Sequence, residues 1–197
     1  VKSVVPLIST HPELVKKIIA LHKLGNDWME LICGRKTHPV TFRPGGFSMI
    51  PKESQLKEFM IRIKSLMPDA LTIIDVLSQL AVKLPKFERA TEYVALVKEG
   101  VYPLYDGYIG SSDIKELTPP SKFEQVTNEY VNPFSTAKWC KWHRDSYAVG
   151  ALARFNINFD YLLPDAKEAA GKMGLTRWTA NPYFNTIAQA VEVVQVM

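Results

Sequence analysis

Cysteine is scarce in this chain: two among 197 residues, Cys33 and Cys140, far apart and neither in a C-x-x-C pair. That excludes a disulfide framework, and it excludes a cysteine metal site of the usual kind, which needs closely spaced thiolates. Two reduced thiols in a cytosolic protein fit this usage. No apolar run approaches the roughly 18 residues of a membrane span. The N-terminus, VKSVVPLISTHPEL, has no signal-peptide pattern. It also opens on valine rather than methionine, so Val1 reads as an internal start. The G-x-S-x-G elbow of a serine nucleophile, the P-loop and the dinucleotide G-x-G-x-x-G are all missing. Excess charge is small: 24 basic against 20 acidic residues leave +4, and the lysines are dispersed. With four tryptophans but no aromatic-basic stacking platform, a nucleic-acid binder is disfavoured. What remains is 47% hydrophobic and 22% charged, the composition of a globular domain with room for a real core.

The hydropathy pattern is mostly helical. Thr10-His11-Pro12-Glu13 reads as a capping box with proline in the first turn, where its missing N–H costs little. Leu14, Ile18, Leu21, Trp28 and Ile32 follow on one helical stripe, with Gly25 filling its gap. That glycine suggests either a close crossing by another segment or a tolerated loss of about 1 kcal/mol relative to alanine. The helix stops near Gly34. A second begins after Pro51, Pro68-Asp69 interrupts it, and a third runs to Pro85. Glu92–Val97 is strand-like, Tyr102–Gly110 reads as a second short strand with turns, and Val126–Val131 as another. Asn181-Pro182 opens a last helix with Phe184, Ile187, Ala188, Val191 and Val194 on one face. The expected class is mostly α with a small β insert (α+β) in a single domain, 1–197: helical over 10–84, β-containing over about 91–131, irregular and then helical over 132–197.

Two segments carry candidate chemistry. Cys140 and His143 would share a face if helical, but two ligands do not close a zinc site, and Trp139 and Trp142 beside them argue for packing. The other segment is the loop GRKTHPVTFRPGGF, residues 34–47, which sets Arg35, Lys36, His38 and Arg43 among glycines and prolines. Pro39 and Pro44 fix local φ, while Gly45 and Gly46 permit close approach of the backbone to something else. A rigid loop with cationic and imidazole side chains suits the outer layer of a metal site, orienting ligands it does not itself supply. A surface loop with solvated charges is the plain alternative.

The same loop resembles the His-Pro and Pro-Gly-Gly signature of the large subunit of nickel–iron hydrogenases, especially the cytosolic, bidirectional group that uses soluble electron carriers. EYVALV, YPLYDGYIGS, STAK at 135–138, SYAVGALARFNIN at 146–158 and the closing NP…IAQAVEVV helix are similar to that group in the same order. The likeness spans nearly the whole chain. One departure is Cys33, which stands where the family usually has the first of two glycines.

The resemblance implies the helical core of such a subunit, incomplete. It implies a nickel–iron centre with carbon monoxide and cyanide ligands, held by four cysteines in two C-x-x-C pairs, none of which is here. The arginine motif the family places over that centre is missing too. Arg35, His38, Pro39, Arg43, Gly45 and Gly46, with Arg154 and Asn156, match positions expected near the active site. Ser135 and Lys138 are weaker matches, and no residue is assigned as a catalytic group or metal ligand. The whole subunit would oxidise hydrogen reversibly in the cytoplasm, passing electrons to a carrier such as NAD(P). Its partners would be an iron–sulfur small subunit, electron-carrier subunits and the remainder of the large subunit. A metal-free scaffold or assembly module descended from the family is the alternative. The isolated chain is expected to self-associate through apolar faces. It is also expected to bind no stoichiometric nickel and evolve no hydrogen; elemental analysis showing one nickel per chain would overturn that.

Overall fold

The structure is a computed structural model that describes residues 5–197. The reading of Val1 as an internal start falls outside them. The structure divides into two compact units, Val1–Val76 with Met197 and Leu77–Val196, described in turn.

In the first unit, helix α1 (Val5–Thr10) leads into α2 (Pro12–Cys33). The capping box does not form. Because residues 5–10 are themselves helical, the Thr10 hydroxyl donates back to the Pro6 carbonyl at 3.1 Å, and His11 takes the N-cap position without a side-chain cap. The far end of α2 is as expected. Gly34 adopts φ +78° and its N–H donates to the Glu30 carbonyl at 2.9 Å. A β-carbon on Gly34 would lie 3.0 Å from Val40 Cγ2 and 3.1 Å from Thr41 Cγ2, so both dihedral and space call for glycine there. Of the expected apolar stripe, Leu14, Leu21 and Ile32 are half-buried and Ile18 and Trp28 more exposed, while the fully buried residues of the helix, Leu24 and Cys33, lie outside that list. Nothing would come within 4 Å of a β-carbon on Gly25, so within this chain the glycine is tolerated rather than a crossing point.

Strands β1 (Phe42–Arg43) and β2 (Gly46–Phe47) form a small antiparallel hairpin. Helix α3 (Glu53–Ala81) follows, its last residues belonging to the second unit. Two helices broken at Pro68 were expected, but α3 runs through that proline. The stripe keeps its phase across Pro68: Ile63, Leu66 and Met67 are succeeded by Ala70, Ile73, Ile74 and Leu77. Burial of Ala70 and Ile74 on the continued face offsets a missing hydrogen bond and ring clash of about 3 kcal/mol. Thr72 Oγ1 donates to the Pro68 carbonyl just beyond. Helices α2 and α3 run antiparallel. Lys17 pairs with Asp69, Arg62 with Asp27 at 2.6 Å, and the Trp28 ring meets Phe59 at 4.8 Å. The Asp27 carboxyl is held at about 2 by hydrogen bonds from Lys23 and Arg62.

The second unit is built on strand β3 (Glu92–Val97). Strand β4 (Tyr108–Ser111) pairs antiparallel to it, with Val94 opposite Ser111 and Val97 opposite Tyr108. The expected strand over Val126–Val131 is instead a helical turn, α4 (Glu124–Thr127), and a two-residue strand, β5 (Tyr130–Val131). Asn128 in the left-handed conformation separates them. Strand β5 pairs antiparallel with β6 (Lys138–Trp139). Strand β7 (Tyr147–Ala148) then joins β3 in parallel, Glu92 opposite Tyr147, giving the order β4-β3-β7. The β region therefore reaches beyond the expected limit near 131, because a strand far along the chain completes the sheet.

Helices α5 (Ala151–Asn158), α6 (Pro164–Lys172) and α7 (Phe184–Val196) close this unit. The last helix, expected to open at Asn181-Pro182, begins at Phe184 instead: residues 181–183 form a turn in which Asn181 Oδ1 accepts the Tyr183 N–H at 3.0 Å, while Ile187, Ala188, Val191 and Val194 on the expected face are buried. Ala153, Ala166 and Ala188, one on each of these helices, and Phe155 on α5 are all 0% exposed. Small side chains let helix backbones approach closely. Phe155→Ala is expected to destabilise this unit by about 3–5 kcal/mol, the range for emptying a fully buried aromatic site. Chemical denaturation followed by tryptophan fluorescence checks it; a cost under about 1 kcal/mol would contradict the packing described.

Candidate functional site

The 34–48 loop of the first unit is pinned at one end. Thr41 is buried; its Oγ1 donates to the Ile32 carbonyl at 2.9 Å, and its own carbonyl accepts the Ser48 N–H at 2.7 Å. The Val40 N–H donates to the Cys33 carbonyl at 2.9 Å. From this anchor the hairpin projects. Pro44 and Gly45 occupy its turn, with Gly45 at φ +86°, the positive value a proline-glycine turn requires at its second position. The Phe42 and Phe47 rings meet at 5.1 Å.

Arg35, His38, Pro39, Arg43, Gly45 and Gly46 are thus gathered on one exposed loop. Arg35 Nε donates to the Thr37 carbonyl at 2.5 Å, and Lys36 pairs with Glu30 at 3.7 Å. His38 holds φ +56°, an uncommon conformation for a residue other than glycine, which turns the chain between Arg35 and the hairpin.

The other two matched residues lie in the second unit and are bound internally. Arg154 grips Glu192 with two parallel bonds, Nε to Oε1 at 2.5 Å and Nη2 to Oε2 at 2.7 Å, and the Tyr102 hydroxyl donates to the same Oε1 at 2.8 Å. Burial, and then the adjacent Glu192 carboxylate, push the Tyr102 phenol well above its ordinary range. The bond to Glu192 raises Arg154 further. Asn156, 0% exposed, uses both ends of its amide on one turn. Its Oδ1 accepts the Trp178 N–H at 2.9 Å and its Nδ2 donates to the Thr179 carbonyl at 3.1 Å. That turn carries Trp178 at φ +66°. Of the weaker matches, Ser135 Oγ accepts the Ala137 N–H and Lys138 pairs with exposed Glu129 at 2.9 Å.

Sequence reading missed Glu92. It opens a strand-like run and gave no periodic signal of its own, yet it is the most deeply buried acid of the unit, 0% exposed. Its Oε1 accepts His143 Nδ1–H at 2.7 Å and Ser111 Oγ–H at 2.7 Å; its Oε2 accepts the backbone N–H of His143 at 2.6 Å and of Arg144 at 3.2 Å. Burial alone would raise this carboxyl. The bonds from His143, Ser111 and the two amides outweigh it and hold Glu92 below its ordinary value. The Cys140–His143 spacing is therefore read differently: residues 140–146 are not helical, and it is Glu92, fifty-one residues upstream, that His143 meets.

Cys33 is buried in the first unit and Cys140 half-buried in the second. Among the described residues, no group of three or more His, Cys, Asp or Glu side chains is placed to hold a metal ion.

No protein-family model matches the chain. Among curated proteins it is 28% identical to the sulfhydrogenase 1 alpha subunit of Pyrococcus furiosus over 193 residues, covering 95% of this chain and 44% of that protein. With the sulfhydrogenase 2 alpha subunit of the same organism it shares 35% identity over 193 residues, 98% of this chain and 44% of the relative. Its backbone follows that of an NAD+-reducing NiFe hydrogenase solved in the H2-reduced state, with a TM-score of 0.77, 22% identity, and coverage of 98% of this chain and 47% of that one. The chain thus spans a little under half the length of the proteins it matches.

The Glu92 geometry fixes a pH response. Its carboxyl sits below the unfolded value, so its stabilisation is fully present above the ordinary carboxylate range and is lost as pH falls through the depressed value. Wild-type unfolding free energy is expected to drop from about pH 5 downward, and Glu92→Gln to flatten that slope while costing about 1.5–3 kcal/mol at neutral pH. Denaturation series from pH 7 to pH 3 test this; identical slopes for both proteins would refute it.

Proposed function

Because the chain belongs to the family of nickel–iron hydrogenase large (alpha) subunits, we propose that it is the central segment of a subunit which, when whole, reversibly oxidises hydrogen to protons and electrons. The observation that carries this reading is the unbroken likeness: 98% of the chain matches the sulfhydrogenase 2 alpha subunit, and 98% shares the backbone of an NAD+-reducing NiFe hydrogenase, each over less than half of the longer protein. In this reading electrons pass through an iron–sulfur small subunit to carrier subunits and on to a soluble acceptor such as NAD(P). The whole assembly works in the cytoplasm. Among the described residues, no helix is long and apolar enough to cross a membrane.

The donor set here does not fit a nickel–iron centre. Such a centre takes several thiolates at close range, whereas Cys33 and Cys140 each stand alone in their own unit. No step of hydrogen chemistry on the metal is therefore assigned to these residues. The segment's contribution is a shaped and charged wall. The loop pinned by Thr41 exposes His38 and Arg43, with Arg35 turned back onto the Thr37 carbonyl, whereas Arg154 and Asn156 are tied within their own unit. Cationic donors fixed on a stiff backbone suit the layer around a metal site, where they orient the ligands.

The test is purification of the intact complex that contains this chain. Its peptides are expected alongside an iron–sulfur polypeptide, with nickel and hydrogen-dependent dye reduction. In that complex His38→Ala or Arg43→Ala is expected to lower hydrogen oxidation about 10–100-fold, the range for partners of metal ligands, with the fold intact. A complex free of nickel and inert toward hydrogen would instead establish the scaffold reading.

A further inference from the structure

Helix α2 carries a second face that its own chain leaves open. The face toward α3 holds buried Leu24, the Lys17–Asp69 and Asp27–Arg62 pairs, and Trp28 against Phe59. Ile18, His22, Gly25 and Met29 lie roughly 100–160° round the helix axis from Leu24. They succeed one another at steps of four, three and four, the spacing of a seam along which a second helix packs. Ile18 is 44% exposed, Met29 37% and the adjoining Ile19 60%. Gly25 stands in the middle of the seam, where no described residue would come within 4 Å of a β-carbon. Glycine inside a helix is unfavourable relative to alanine, and no segment of this chain uses the room it leaves. The first unit also has little core of its own. Among the described residues its buried apolar side chains are Leu24, Cys33, Phe59, Ala70 and Ile74, few for a body of this length.

We infer that an amphipathic helix from the part of the large subunit outside these 197 residues packs along this seam, with its backbone closest at Gly25. The choice of occupant rests on the central-segment reading above. The relatives are matched over 44% of their length and the solved hydrogenase over 47% of its chain, so more than half of each is available to supply the helix. The chemistry of the seam selects an apolar stripe rather than a charged surface. All six ionised side chains of α2 are already paired: Glu13 with Lys16, Lys17 with Asp69, Asp27 with Lys23 and Arg62, and Glu30 with Lys36. His22 Nδ1 accepts a hydrogen bond from Asn26 Nδ2 at 3.1 Å, one turn along the same helix. What α2 offers outward is therefore Ile18, Ile19 and Met29, which gain by leaving water. The missing side chain at position 25 lets the partner's backbone come nearer than larger residues would allow, since interaxial distance follows the side chains at the contact.

The test uses the intact complex with the photocrosslinking residue p-benzoylphenylalanine placed at Ile18 or at Met29, and at exposed Lys16 as a control. Mass spectrometry is expected to find both seam positions joined to one large-subunit segment outside these residues. The two joined points should lie about eleven residues apart, as on a helix running alongside α2, and Lys16 should not reach that segment. Crosslinks from Ile18 and Met29 to a second copy of this chain, to an iron–sulfur polypeptide or to nothing would overturn the inference. Gly25→Ala gives an independent reading by its sign. On an uncovered helix alanine raises the melting temperature, whereas under a crossing backbone it lowers it. A lowered melting temperature of the complex is expected, and lower still for Gly25→Leu; a rise for Gly25→Ala would overturn the inference. A native protein with no large-subunit segment beyond these residues would overturn the central-segment reading and this inference together. A whole subunit whose other segments do not reach Ile18 and Met29 overturns the inference alone.

Discussion

A carboxylate with no exposure to water has to be met by donors on every side, and in the second unit the Glu92 side chain meets that demand with groups from two other parts of the chain. Ser111 comes from β4, at the far end of the hairpin that β3 begins. The His143 imidazole and the amides of His143 and Arg144 come from a segment some fifty residues on. An unmet buried charge is far more costly than any single bond is favourable, so these segments are held to one arrangement. Strand β7 is then delivered to the free edge of β3, where Ser146 accepts the Glu92 N–H at 2.8 Å. Thr91 and Ser146 join hydroxyls at 2.7 Å just before that strand begins.

The helices over the sheet add ties made by amides. Asn156 holds the 178–179 turn by both ends of its side chain, and Asn158 Nδ2 reaches back to the Leu96 carbonyl of β3 at 3.0 Å. Both sit on α5 beside Phe155, so one short helix supplies the central apolar plug and the polar struts around it. Arg154, on the same helix, is locked to Glu192 of α7. Within the unit the guanidinium thereby ties two helices together. The first unit works on a different plan. Its loop is pinned by Thr41 and otherwise exposed, and the cationic side chains it carries have few partners from its own unit.

Much of the architecture was legible in the residues. Helix α2 ended where Gly34 allowed the left-handed turn, β3 ran over the β-branched and aromatic stretch at 92–97, and α7 buried the face read for it, though it began past the Asn181 turn, at Phe184. The misreadings have local causes. Thr10 caps nothing because the residues before it are already helical, and Pro68 breaks nothing because the apolar phase continues across it. The loop 34–47 was visible as a site candidate because prolines, glycines and basic residues cluster there in sequence. Glu92 and His143 were not, since their relation is a contact across fifty-one positions and neither neighbourhood carries a periodic mark.

The sequence by itself determined the long helical stretches of α2, α3 and α7, the turn at Gly34, the strand at 92–97, and which family the ordered motifs resemble. Those properties reside in near-neighbour chemistry: φ limits at glycine and proline, period and phase of apolar side chains, and runs of residues in fixed order. Only the tertiary structure decided that β7 completes the sheet, that Arg154 and Asn156 serve as internal ties, and that His143 is oriented by a buried acid. Burial is a property of the folded neighbourhood, and the energy of a charge or an amide depends on whether distant residues have removed it from water.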